Sequence, residues 1–167
     1  MPHLPDVSLV DVDDAVMESL LALAKRDASP DEVAPPLGGP GWNAERTAWF
    51  RAHHRAAADG LDGRAGEKTW AVLCCGEVAG SVRLKRTEAT GRGPAGEAGI
   101  WLGRSFRSRG VGGAALTLLL AEARKAGLAQ VLARTLAGNL AAQQLLSGLG
   151  ATLAGEDDGT VLATVGL

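Results

Sequence analysis

A mixed α/β layer fold is what the order of periodicities along this sequence predicts. Amphipathic helices come first, hairpin strands occupy the middle, and a strand–helix–strand–helix–strand run closes the chain. No internal repeat and no linker-like stretch breaks that order, so residues 1–167 read as one domain, with 1–66 mostly helical and 67–167 carrying the sheet. A chain of this length buries roughly 70% of its unfolded surface and needs no disulfide or metal staple.

The elements follow in order. Val7 to Val10 fits a short opening strand, and Asp11 to Ala28 a helix with Val16, Leu20 and Leu23 on one stripe. Asp13 and Asp14 sit near its positive end, and Pro30 stops it. The stretch from Pro35 to Gly41 is irregular, and Asn43 is a good N-cap for a second helix reaching about Ala58. After a Gly-rich loop, 60–66, the runs Trp70 to Cys75 and Val78 to Lys85 predict a hairpin turning at Gly76-Glu77. Val78, Val82 and Leu84 alternate with Ser81, Arg83 and Lys85, which implies one buried face and one wet face. Thr87 to Gly96 reads as a loop, and Glu97 to Leu102 as a third strand with Glu97, Gly99 and Trp101 on one face. Leu116, Leu119, Leu120 and Ala123 define the clearest helix, from about Gly112 to Ala126, closed by Gly127. Val131 to Thr135 is a strand, Asn139 to Gly148 a short helix, and Leu149 to Ala154 with Thr160 to Val165 a closing hairpin.

Composition removes several function classes. The 17 basic and 19 acidic side chains leave a net charge of −2, so no whole-molecule field holds nucleic acid by counterion release. The two cysteines, Cys74 and Cys75, are adjacent; on an extended segment they point to opposite faces and cannot cage a metal. They fit small hydrophobes in a reducing compartment. Met1 to Asp6 carries two prolines and no apolar run, and no apolar stretch reaches spanning length. The expectation is a cytoplasmic protein without metal, membrane or nucleic-acid partner.

The informative segment runs from Arg107 through Ser108, Arg109, Gly110, Val111, Gly112 and Gly113 to Ala114, between a strand and the strong helix. Glycines let the backbone turn tightly and approach a ligand, and the first N–H groups of the helix point outward at its positive end. With two arginines just before them, these groups suit a pyrophosphate; a glycine turn that merely permits close packing is the alternative. Gly110 to Ala115 also fits a loose G-x-G-x-x-A dinucleotide fingerprint. Only 53 residues follow Ala114, however, and the region twenty residues on holds Gln130 and Arg134 where that fingerprint needs an acid.

Arg107-x-x-Gly110-x-Gly112 resembles the R/Q-x-x-G-x-G/A signature of the GNAT superfamily of N-acetyltransferases. Asn139-x-x-Ala142-x-x-Leu145-Leu146-x-x-Leu149-Gly150 resembles the second motif of that superfamily, N-x-x-A-x-x-L-Y-x-x-x-G. The resemblance implies a mixed, mostly antiparallel sheet with a splayed cofactor-binding strand, and acetyl-CoA as cofactor. It implies that Ile100, Trp101 and Leu102 pair with the pantetheine, that residues 107–114 hold the pyrophosphate, and that Asn139, Ala142 and Leu146 lie beside the thiol. Superfamily members often place a tyrosine at the Leu146 position to protonate the departing thiolate, and this chain has none. Ionising a thiol at pH 7 costs about 2 kcal/mol, whereas freeing a lysine-like amine costs about 4.6 kcal/mol, so a base matters more than an acid. Water or Ser147 is the expected acid. Glu97 is the expected base, by its strand position, with a salt bridge to Arg83 or Lys85 as its other reading. Backbone N–H groups near Leu102 are the expected oxyanion donors.

In the superfamily the early helices wall the acceptor side. Here these helices and the loop between them carry Asp31, Glu32, Trp42, Glu45, Trp49, His53 and His54, and the hairpin tip adds Glu156, Asp157 and Asp158. Aromatic faces with carboxylates suit a small cationic amine. The same residues at helical spacing also suit a core, and an acidic turn is also simply a solvated one. The sequence is similar to aminoglycoside 6'-N-acetyltransferases and to ribosomal-protein N-terminal acetyltransferases, so an antibiotic amine is the first acceptor expectation and a protein α-amine the second. A non-catalytic acyl-CoA sensor is the third, and a homodimer is the oligomeric state the resemblance suggests.

Overall fold

The computed structural model describes residues 5–167, so Met1 to Leu4, the start of the segment read above for a leader, lie outside it. The strands are β1 Val7–Asp11, β2 Glu67–Cys74, β3 Glu77–Thr90, β4 Gly93–Leu102, β5 Gln130–Leu136, β6 Thr152–Gly155 and β7 Thr160–Gly166. The helices are α1 Asp14–Asp27, α2 Pro30–Val33, α3 Ala44–Ala57, α4 Val111–Lys125 and α5 Leu140–Gly148. All seven strands form one sheet in the order β1-β2-β3-β4-β5-β7-β6, antiparallel throughout except for β4 against β5. That parallel pair is registered only where Ala95 to Glu97 meet Gln130 to Leu132. Beyond it β4 stays on β3 and β5 stays on β7, so the two strands part and the sheet opens between them. This opening is the feature that positions the site.

Each face of the sheet is covered. Helix α4 lays Val111, Ala115, Leu116 and Leu119 against Val72, Val82 and Leu84. On the other face Met17, Leu20 and Leu21 of α1 and Phe50 of α3 pack on Ala71. The expectation of a wet face on β3 is corrected at Ser81, which is buried, and at Arg83, which is half-buried, because the early helices cover that part; Lys85 is exposed as expected. Asp13 caps α1 by accepting from the Val16 N–H at 2.8 Å, and Asn43 caps α3 by accepting from the Arg46 N–H at 2.9 Å.

Three further differences have local causes. Pro30 ends nothing that Asp27 has not already ended; it opens α2, where Ser29 and Glu32 form a capping box. The first hairpin turns at Cys75-Gly76, both with positive φ (53° and 81°), one residue earlier than expected. Thr87 to Gly96 is largely strand, with Arg86 paired to Gly96 and Thr87 to Ala95 across a tight turn and a bulge. Gly96 leaves room for its neighbours there, since a Cβ would stand 2.8 Å from Leu128 Cδ1 and 3.0 Å from Leu84 Cδ1 and would make those side chains shift. No helix among the described residues is long and apolar enough to cross a membrane.

Candidate active site

The loop into α4 carries the backbone feature the sequence points to. Ser108 (φ 59°) and Gly110 (φ 81°) are left-handed, and no side chain caps the helix at Gly110. The N–H groups of Val111, Gly112 and Gly113 have no partner within the helix, and Ala114 N–H is the first to bond, to Gly110 C=O at 3.2 Å. A staple behind the loop fixes it: Ser105 donates both its N–H (3.0 Å) and its hydroxyl (2.5 Å) to Asp27 at the end of α1. Those two bonds, the hydroxyl first, hold the Asp27 carboxyl below its ordinary range.

The Arg107 guanidinium turns back onto its own strand. Nε and Nη2 donate to Leu102 C=O at 3.1 and 2.9 Å, and Nη2 meets Glu32 Oε2 at 2.8 Å. Burial works to raise the Glu32 carboxyl, but the hydrogen bonds from Arg107 and the Ser29 N–H, with the charges of Arg107 and Arg104, outweigh it and hold it low. Arg109 also folds back, donating to Ser105 C=O at 3.3 Å over the Phe106 ring. The arginines thus shape the loop as well as charge it.

Three cavities surround the open end of β4. One of about 270 Å³ fills the gap between β4 and β5, lined by Ile100, Leu116, Leu119, Asn139, Ala142 and Leu146 among others. A wider mouth of about 480 Å³ lies between Trp101, Leu102, Arg107, Gly112, Asn139 and Leu145. The third, about 250 Å³, lies under α3 between Glu32, Trp49, Phe50, His53, Arg83 and Trp101. Gly99 and Ile100 line both the first and the third, so a group in the strand gap and a group under α3 approach the same stretch of backbone from two sides.

A family model for the acetyltransferase (GNAT) domain matches residues 11–152. The chain belongs to the GNAT acetyltransferase family. It is accordingly an N-acetyltransferase that uses acetyl-CoA. No curated protein matches its sequence. Among solved structures it is similar to the GNAT domain of S. lividans PAT, with TM-score 0.71 and 22% identity over 98% of this chain and 90% of that one. It is also similar to the ribosomal alpha-N-protein acetyltransferase RimL in complex with coenzyme A (TM-score 0.74, 18% identity, 96% of this chain and 94% of that one). The microcin self-immunity acetyltransferase MccE in complex with acetyl-CoA and AMP gives 0.72 at 14% identity, covering 97% and 93%. At these identities the likeness is one of fold.

The residues present fit coenzyme A. The free N–H groups and glycines at the start of α4 suit its diphosphate, and the apolar gap between β4 and β5 suits a narrow arm. A Cβ on Gly113 would stand 3.2 Å from Leu145, so bare glycines keep the mouth from closing. Asn139 caps α5 by accepting from the Ala142 N–H at 3.1 Å and lines both the gap and the mouth.

Of the residues read for the acceptor, Glu32, Trp49 and His53 line the cavity under α3. Trp42 does not; it lies in the bend just before the Asn43 cap of α3 and packs edge-on to Phe50 at 6.4 Å, against the core shared by α1 and α3. Exposed Asp31 bridges the buried Arg46 at 2.9 Å, and Asp157 stands exposed on the β6–β7 tip; neither lines any of the three cavities. His54 is buried and holds Thr69 at 3.1 Å through Nδ1, and burial pushes its pKa down to about 4. Ser147 is exposed on the outer face of α5, whereas Ala142, Leu145, Leu146 and Leu149 face the gap; the helix turns the serine away from the thiol position.

Glu97 sits at the point of divergence, 3.3 Å from Arg134 on β5 and 4.0 Å from Arg83 on β3. The sequence reading missed Glu67, which is buried at the start of β2, 3.2 Å from Arg83 and 3.6 Å from His53. The signal is in the sequence: Glu67, Thr69 and Ala71 alternate along one face of a strand that begins at Glu67, three residues before Trp70.

Proposed function

We propose that the chain acetylates the α-amine of a peptide or amino-acid-like acceptor that enters the cavity under α3. The supporting observation is the charge balance around that cavity. Each nearby carboxylate already has an arginine: Glu32 with Arg107, Glu67 with Arg83, and Glu97 with Arg134. The walls between them are Trp49, Phe50 and Trp101. A polycation needs several uncommitted carboxylates, whereas a single amine on an apolar or aromatic body needs none beyond a proton acceptor. An aminoglycoside stands second, on the three carboxylates themselves.

When bound, acetyl-CoA supplies an activated acetyl group as a thioester. The chain's own residues do the rest in this reading. The α4 N–H groups grip the diphosphate, the gap between β4 and β5 directs the arm to Ile100, and the backbone near Leu102 donates to the developing oxyanion. No side chain on the inner face of α5 carries a proton to give, and solvent takes that part.

Labelled acetyl-CoA offered with short peptides bearing free N-termini, aminoglycosides and polyamines tests the assignment, read as a mass gain of one acetyl group. Peptides are expected to give the highest kcat/KM. Faster transfer to aminoglycosides overturns the acceptor assignment, and coenzyme binding with no transfer to any of them makes the chain an acyl-CoA sensor.

A further inference from the structure

His53 lines the cavity under α3, and the buried carboxylate of Glu67 lies beside it, outside the lining. His53 lies half-buried on the inner face of α3 with its ring stacked on Trp49 at 4.7 Å and 12°. Its Nε2 faces Glu67 Oε1 at 3.6 Å, a charge contact longer than a hydrogen bond. Glu67 is itself held by Arg83 at 3.2 Å. Among the described residues Nδ1 of His53 takes no hydrogen bond. A carboxylate beside Nε2 favours the tautomer with its proton there and leaves the Nδ1 lone pair available.

Resting on the transferase reading above, we propose that His53, oriented by Glu67, is the base that removes the acceptor's proton in the cavity under α3. Glu97 is poorly suited to that step. It lines none of the three cavities, and its two carboxylate oxygens already face guanidiniums, Arg134 at 3.3 Å and Arg83 at 4.0 Å. An imidazole also lies closer to neutral pH than a carboxylate, where general-base efficiency is greatest.

The groups facing His53 from each packed element are Glu67 on β2, Arg83 and Lys85 on β3, His54 on its own helix and Glu32 on α2. Burial lowers the His53 pKa most; Glu67 opposes this, while Arg83 and Lys85 add to it. The balance keeps the ring neutral at pH 7, the form that accepts a proton. In the step itself the acceptor ammonium gives one proton to Nδ1, and its freed lone pair forms the C–N bond. The C–S bond breaks, sulfur leaving with the electron pair and taking a proton from solvent; the amide nitrogen sheds its second proton to solvent, and the imidazolium releases its own to solvent, which restores the neutral ring.

The test pairs kinetics with a spectroscopic readout. In the wild type, kcat/KM for the best acceptor is expected to rise with pH through a limb below pH 6.5. In His53→Gln that limb disappears and kcat falls about a hundredfold or more, while coenzyme A affinity and Tm stay at wild-type values. Free imidazole restores turnover in His53→Ala, which a structural role cannot explain. By NMR, the His53 ring is the Nε2–H tautomer and titrates below 6.5, and Glu67→Gln moves that titration lower still. An Nδ1–H tautomer, or an unchanged pH profile in His53→Gln with no imidazole rescue in His53→Ala, overturns the proposal while leaving the transferase intact. If the wild type binds coenzyme A yet acetylates no acceptor, the transferase reading falls and the base with it.

Discussion

Replacing Gly110 by alanine isolates what the α4 entry loop contributes. Gly110 has φ 81° and ψ 0°, a conformation an L-residue adopts at a cost of about 1–2 kcal/mol. The nearest atom to an added Cβ is Pro5 Cδ at 3.7 Å, so the penalty is conformational and not steric. If the loop keeps its shape, the whole fold bears the cost, and Tm falls by about 2–8 °C for a chain of this size. If the loop relaxes, the free N–H groups lose their common aim and coenzyme A binds about 5–30-fold more weakly. Gly113→Ala is the matched control. Its φ is ordinary, its Cβ meets only the flexible end of Leu145 at 3.2 Å, and alanine favours the helix by about 1 kcal/mol. That variant is expected to keep or raise Tm while weakening coenzyme binding, because Leu145 is pressed into the mouth. Calorimetry with coenzyme A and thermal melts of both variants are sufficient. A Gly110→Ala protein with wild-type Tm and affinity refutes the account of the loop.

Two further outcomes test the packing around the acceptor cavity. Phe50→Ala removes a side chain that is 1% exposed, and is expected to cost about 3–5 kcal/mol in urea unfolding. His54 has a folded pKa of about 4 against an ordinary 6.5, so its contribution is fully present above 6.5 and lost as pH falls towards 4. That loss amounts to about 3 kcal/mol, and a His54→Leu variant is expected to lose the corresponding slope of unfolding free energy between those pH values.

What was legible in the sequence was whatever one element settles alone. The stripe Leu116, Leu119, Leu120 and Ala123 gave α4 its buried face, and Asn43 and Asn139 mark helix starts by a bond made within three residues. The N-terminal half of β4 was illegible for the opposite reason. Gly93, Pro94 and Gly96 disfavour strand locally, yet pairing to β3, and to β5 from Ala95 on, holds the backbone extended, and Gly96 is bare because Leu84 and Leu128 close over it. Tertiary packing decided that segment.

The site divides along the same line. Its coenzyme half is a local device, a strand end followed by a helix start, and lies within residues 102–114 with α5 alongside. Its acceptor half is a set of pairings between distant residues: 32 with 107, 67 with 83 and 53, and 97 with 134. Read along the chain, acids such as Asp31 and Glu32 beside aromatic residues suggest a cationic acceptor. Read across the fold, Glu32 meets Arg107, Glu67 meets Arg83 and Glu97 meets Arg134, pairings that offset the field a polycation would need. In the proposed reading, the His53 imidazole, between the Trp49 ring and the buried Glu67 carboxylate, makes the selectivity of this site rest on the proton it can take more than on the charge it can hold.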